Sequence, residues 1–241
     1  MKINLLAAGL LATVLGVPAL GGPPICCNPI DIAKARSLPM GSGAMETSSR
    51  CSESSAIDQT IAILKGDASP LVRMETLRRA TVYVSKDAAK ARELMSRVMA
   101  LQLDAAAAQK DNETTTALFD AGFLAACYGE MNVDLGWKPG VADGVPGYAW
   151  IKSALEKLPK DSPQRAEMEF GAALATHPME HNASGVRALY DGHLERASQG
   201  AKEGSLLADN IKAHHAKWDV YLKKDSTKGT GKEAAKPEPK K

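Results

Sequence analysis

The sequence predicts an all-α fold built from stacked antiparallel helix pairs, or failing that an irregular helical bundle. Three observations carry this. Apolar residues recur at three- and four-residue spacings through residues 54–222. Pro, Gly and Ser/Asp capping residues break that pattern at intervals of one helix, and no window alternates with a period of two.

Ahead of the helices, Lys2 and the uncharged, largely apolar stretch Ile3–Leu20 lead into Gly21-Gly22. A positive start, an apolar core and a small-residue exit describe a secretory signal peptide over residues 1–21. Ala19 and Gly21 put small residues where a peptidase needs them. An uncleaved anchor is the alternative, since the stretch is close to the ~17–25 residues that span a bilayer. Lipid attachment at Cys26 is disfavoured by the preceding Pro23-Pro24-Ile25. Residues 22–53, rich in Cys, Pro, Gly and Ser without any period, read as an extended linker.

In the helical region, Ile57, Ile61 and Leu64 mark the first helix, which Gly66 ends. Pro70 opens a second near Leu71, with Met74 and Leu77 on one face. Ser85-Lys86-Asp87 caps a third, where Ala91, Leu94, Met95 and Val98 form one buried face. Asn112 or Thr114 caps a fourth, running to about Met131. Its stripes Leu118/Ala121/Ala125/Tyr128 and Phe119/Phe123/Ala126 are apolar on two sides, so it belongs to an interior layer. Residues 132–146 carry Gly136, Pro139, Gly140, Gly144 and Pro146 and form a long loop, a kind of segment that often carries function.

Ile151, Ala154, Leu155 and Leu158 mark the next helix, stopped by Pro159. Asp161-Ser162-Pro163 starts another, ending before His177-Pro178. A helix capped by Asn182 or Ser184 follows. The last, about 204–222, presents Leu207, Ile211, His214, Trp218 and Leu222.

Composition narrows the function. Hydrophobic residues are 44% of the 241, enough for a core, yet aromatics are only 5%. The net charge of +2 conceals a lysine-rich tail over residues 223–241, leaving the body slightly acidic. With Pro237, Pro239, Gly229 and Gly231 that tail reads as disordered. Without a basic stripe on the helical part, nucleic acid is not an expected partner. Beyond the signal no stretch is apolar enough to cross a bilayer, so no transmembrane domain is expected once it is removed.

Export permits disulfides. Cys26 or Cys27 pairing with Cys51 would close a loop of about 25 residues, worth up to ~3 kcal/mol on the loop-entropy account. The spare N-terminal thiol could join two chains, and Cys127 reads as a small buried hydrophobe. No Cys-x-x-Cys is present.

The run Ala117-Leu118-Phe119-Asp120-Ala121-Gly122, with Tyr128-Gly129, Ala154-Leu155 and Pro159, resembles a tetratricopeptide-repeat unit. In such a unit a bulky residue is followed four positions on by a small one, and a glycine marks the turn. A small residue then a proline close the second helix. Leu118, Gly122, Gly129, Ala154 and Pro159 meet those positions if residues 132–146 are an insertion. Phe170-Gly171, Leu174 and Leu189 suggest a looser second unit. The resemblance implies a concave groove that binds another polypeptide, with Phe119, Phe123, Cys127, Arg165 and Met168 facing it.

His177-Pro178-Met179-Glu180-His181 matches the H-x-x-E-H string of inverzincin metallopeptidases, where two imidazoles grip zinc and the glutamate activates water. Pro178 turns His177 away from helical geometry, and the third ligand would have to be Glu195 or Glu203. His193 and the pair His214-His215 read as helix-face residues. No phosphate-cradling, nucleophile-elbow or haem-attachment motif is present.

The expected function is therefore that of an exported scaffold or adaptor that binds a protein or peptide, without a cofactor and without catalysis. The rivals are a metal-dependent hydrolase on His177, Glu180 and His181, and a structural envelope component without a ligand.

Overall fold

The computed structural model describes residues 25–177 and 184–226. Residues 1–24, including the segment read as a signal peptide, residues 178–183 and residues 227–241 lie outside that range, as do the side chains of Trp218 and Leu222. Among the described residues there are eight helices: α1 (Glu53–Leu64), α2 (Pro70–Val84), α3 (Ala88–Ala107), α4 (Asp111–Glu130), α5 (Tyr148–Lys157), α6 (Arg165–Ala175), α7 (Ser184–Gly200) and α8 (Leu206–Ser226). Two isolated bridges, Met40 with Thr47 and Ala142 with Val145, are the extended pairings recorded. The all-α class is the observed one.

Local chemistry explains most helix limits. Ser52 caps α1 by accepting from Ser55 N, and Asp87 caps α3 by accepting from Ala89 N and Lys90 N. Pro70 occupies the first turn of α2, where its missing N–H costs nothing. Two starts differ from expectation. Helix α4 begins at Asp111 behind Lys110 with no side-chain cap, and the charges of Asp111 and Glu113 suit that end instead. Helix α6 begins at Arg165, because residues 160–164 form a turn in which Ser162 O accepts from Arg165 N at 3.0 Å.

Consecutive helices pack against each other, α1 on α2, α3 on α4, α4 on α5, α5 on α6 and α6 on α7. The even helices also meet one another: α2 touches α4 and α6, and α4 touches α6. Since α2 and α6 are two hairpins apart, the pairs wrap a shared core rather than standing in an open row. As its two apolar stripes predict, α4 is interior, contacting α2, α3, α5 and α6.

Gly122 makes the α4–α5 approach possible. A Cβ there would lie 2.8 Å from Gly147 O and 2.9 Å from Ile151 N. Gly147 reciprocates with φ of 78°, and a Cβ on it would overlap Gly122 O.

Residues 25–51, expected as a linker, are a strap laid across α2. Ile25, Cys26, Ile30, Ile32 and Leu38 are buried in the common core. The strap has no helix or sheet ladder to satisfy its backbone, so side chains of α2 do it. Glu75, fully buried, accepts from Ile30 N at 3.0 Å and from Arg78 and Arg79 Nε at 2.7 and 2.6 Å. Arg78 Nη1 donates to Cys26 O and Ala44 O, and Arg79 Nη1 to Leu38 O. Tyr83 Oη donates to Pro39 O, and Asn210 of α8 exchanges two bonds with Asp31. Every residue of α2 except Arg79 is buried, which makes it the axis of the molecule.

Candidate functional site

Residues of the α1–α2, α3–α4 and α5–α6 turns come together in space. They enclose a partly open cleft of about 680 Å³. Its floor is apolar and small, with Ala105, Ala117, Leu158 and Leu64 buried and Leu101 half-exposed. Its rim carries both signs: Lys65 and Asp67 from the first turn, Asp104, Lys110 and Glu113 from the second. Asn112 and Gln164 add amide side chains.

Beneath the cleft, Arg73 and Asp120 form a buried ion pair joining α2 to α4. Arg73 also donates to Leu64 O at 2.8 Å and Gly66 O at 3.5 Å, which fixes the end of α1. Burial raises the Asp120 carboxyl, and the charge and hydrogen bonds of Arg73 only partly offset it. These donors are already committed, so the pair shapes the cleft rather than offering itself to a ligand.

A second polar cluster ties α5, α6 and α7. Tyr148 Oη lies 2.9 Å from His193 Nε2, His193 Nδ1 lies 2.6 Å from Glu169 Oε2, and Arg196 Nε reaches the same oxygen at 3.0 Å. Burial alone would push Glu169 up, but the hydrogen bond and charge of His193, with Arg196, hold it below the usual carboxylate range. Tyr148, His193 and Glu169 are all buried, so the chain of bonds acts as a brace between helices.

The groove residues suggested by the repeat resemblance fall elsewhere. Phe119, Phe123, Cys127 and Met168 are at most 1% exposed and fill the core, where no partner reaches them. Phe119 and Phe123 stack with ring centroids 6.3 Å apart. Arg165 donates to Leu155 O and Leu158 O and so closes the end of α5. The reason is the wrapping of α2, α4 and α6, which turns the face an open row would expose into an interior.

Of the histidine string, His177 is described, and Pro178, Met179, Glu180 and His181 lie outside the described residues. His177 meets Tyr190 edge-on at 4.8 Å. Burial, then the charges of Arg187 and His214, push its pKa down to about 3, which keeps the ring neutral. Among the described residues no three His, Cys, Asp or Glu side chains group around a point that could hold an ion.

The four cysteines are free thiols. Cys26 lies against Cys127, its Sγ 3.6 Å from Cys127 O, whereas Cys51 faces Ser52 O and Gln59 Nε2. Cys27 is half-buried. Glu130 accepts from Ile25 N and Cys26 N at 3.0–3.1 Å, and burial, partly offset by those bonds, pushes its carboxyl up to about 7.

The chain matches no family model, no curated protein and no solved structure. Its own geometry therefore carries the functional reading. Within the described residues, no helix is long and apolar enough to cross a membrane. The cleft was not legible from the sequence, because its walls come from three turns far apart in the chain. The strap clamp did leave a trace: Glu75, Arg78 and Arg79 sit at i, i+3 and i+4, the spacing at which helix side chains meet.

Proposed function

We propose that this chain is an exported helical binding protein that holds a short extended stretch of another polypeptide in the cleft where its three turns meet. The observation that carries this is the cleft itself, at about 680 Å³ within the ~300–1,000 Å³ of ordinary ligand sites. A floor of alanines with Leu101 and Leu158 suits one or two aliphatic side chains. Amide groups of Asn112 and Gln164 suit peptide N–H and C=O, and a rim of both signs suits a partner without strong net charge. Export rests on the N-terminal segment, and a scaffold or adaptor role is the reading that such peptide binding suits.

The test places a photoreactive benzoylphenylalanine at Leu101 in the full chain and irradiates cells producing it. Leu103, two residues on and 66% exposed, points away and serves as the control. A discrete cross-linked polypeptide at position 101, missing at 103 and lost when Ala105→Arg fills the floor, supports the reading. Identical adducts at both positions refute it.

A further inference from the structure

We propose that Cys26 and Cys127 form a disulfide that locks the strap onto α4, in preference to any bond to Cys51. The two residues are 101 apart in the chain, yet both are 0% exposed and in contact through the strap's docking. Cys26 Sγ reaches the Cys127 backbone oxygen at 3.6 Å, which brings the two buried residues side by side. The contact is held from three sides. Glu130 fixes the amides of Ile25 and Cys26, Arg78 takes Cys26 O at 2.8 Å, and Ile25 is buried beside them.

Cys51 is separately engaged by Gln59 and Ser52, at the far end of the strap. In the docked state the Cys26 thiol is strongly discouraged from ionising. For Cys26 the neighbouring Cys127 is the largest cause and burial the next. Oxidation therefore belongs to the stage before docking, when Cys26 is still open to solvent, and the finished bond is shielded.

The chemistry is ordinary thiol–disulfide exchange with a disulfide donor, such as a dithiol oxidoreductase or oxidised glutathione. The Cys26 thiolate attacks one donor sulfur and expels a thiolate, giving a mixed disulfide. The Cys127 thiolate then attacks the Cys26 sulfur and expels the second donor thiolate. Two thiol protons and two electrons leave the protein, and the donor becomes two thiols.

Occurrence in the cell rests on the export reading, but the pairing does not. Full-length protein is reduced and unfolded in guanidinium, refolded in a buffer of oxidised and reduced glutathione, alkylated and digested for mass spectrometry. Cys27→Ser and Cys51→Ser variants assign the partner despite the adjacent Cys26-Cys27. The expected result is a peptide linking Cys26 to Cys127 that persists in both variants and disappears in Cys26→Ser. The oxidised fold should resist millimolar dithiothreitol until denaturant is added, and should melt ~10 °C above its reduced form, following the closure of a loop of about 100 residues. A link to Cys51, or four alkylated thiols after refolding to the native helical spectrum, overturns the proposal. Either outcome leaves the export reading standing, because no compartment enters the experiment.

Discussion

Replacing Glu75 with glutamine should cost about 4 kcal/mol and release the strap before the rest of the molecule. The carboxylate is fully buried and receives four bonds, two from Arg78, one from Arg79 and one from Ile30 N. Arg78 is 1% exposed, so the variant leaves its guanidinium without a countercharge and trades one acceptor oxygen for an NH2, with Cys26 O, Ala44 O and a single amide oxygen remaining. Breaking a buried pair in this way costs about 3–5 kcal/mol. Arg79 is partly exposed and regains water, which limits its share to about 1 kcal/mol or less. Against a total stability of ~5–15 kcal/mol, the variant should melt ~10 °C lower. Urea unfolding followed by circular dichroism at 222 nm measures the loss, and hydrogen exchange locates it. Amides of residues 25–48 should lose protection while those of α5 and α6 keep theirs. A loss below about 1 kcal/mol, or protection falling evenly across the chain, would refute the clamp. Arg79→Gln is the milder companion, with the same pattern at a fraction of the cost.

Gly122→Ala should destabilise by ~2 kcal/mol or more in thermal melts, although helix propensity alone favours alanine by up to ~1 kcal/mol, because the new Cβ meets backbone of α5. A stabilised variant would dismiss that close approach. Glu130 sits near 7 in the folded chain against an ordinary 4.5, so the folded state binds its proton more tightly. Its contribution is full below about pH 4.5 and is lost as pH rises through about 7, by up to ~3 kcal/mol. Stability measured from pH 4 to 8 should flatten in Glu130→Gln, and an unchanged slope would assign the dependence elsewhere. Tyr148→Phe removes the bond to His193 and should cost ~1 kcal/mol by denaturant midpoint, with secondary structure intact. No measurable loss would make that brace incidental.

What the sequence disclosed depended on how local each signal was. Ala91, Leu94, Met95 and Val98 lie on one turn-spaced face and are buried as expected, and the doubled stripes of α4 do place it inside. In the sequence Gly122 is only a small-residue position of the repeat resemblance, and its close approach to α5 becomes visible in the structure. The strap escaped notice because Ile25, Ile30, Ile32 and Leu38 follow no period, and their order comes from α2. Met74 and Leu77 marked one face of that helix, but its charged residues are buried too, since each found a backbone or ionic partner. The cleft and the Tyr148–His193–Glu169 brace needed tertiary proximity that no local window contains. Phe119, Phe123 and Met168 show the converse. The repeat resemblance put them on an open groove, and the structure has them buried in the core.

The strap's far-reaching bonds dictate an order of assembly. Asp31 pairs with Asn210, 179 residues later, so the strap that α2 holds is not fully tied down until almost the last described stretch has arrived. Pairings this distant in sequence slow folding in general, and until they form a loosely held strap leaves apolar side chains such as Ile30 open to wrong contacts.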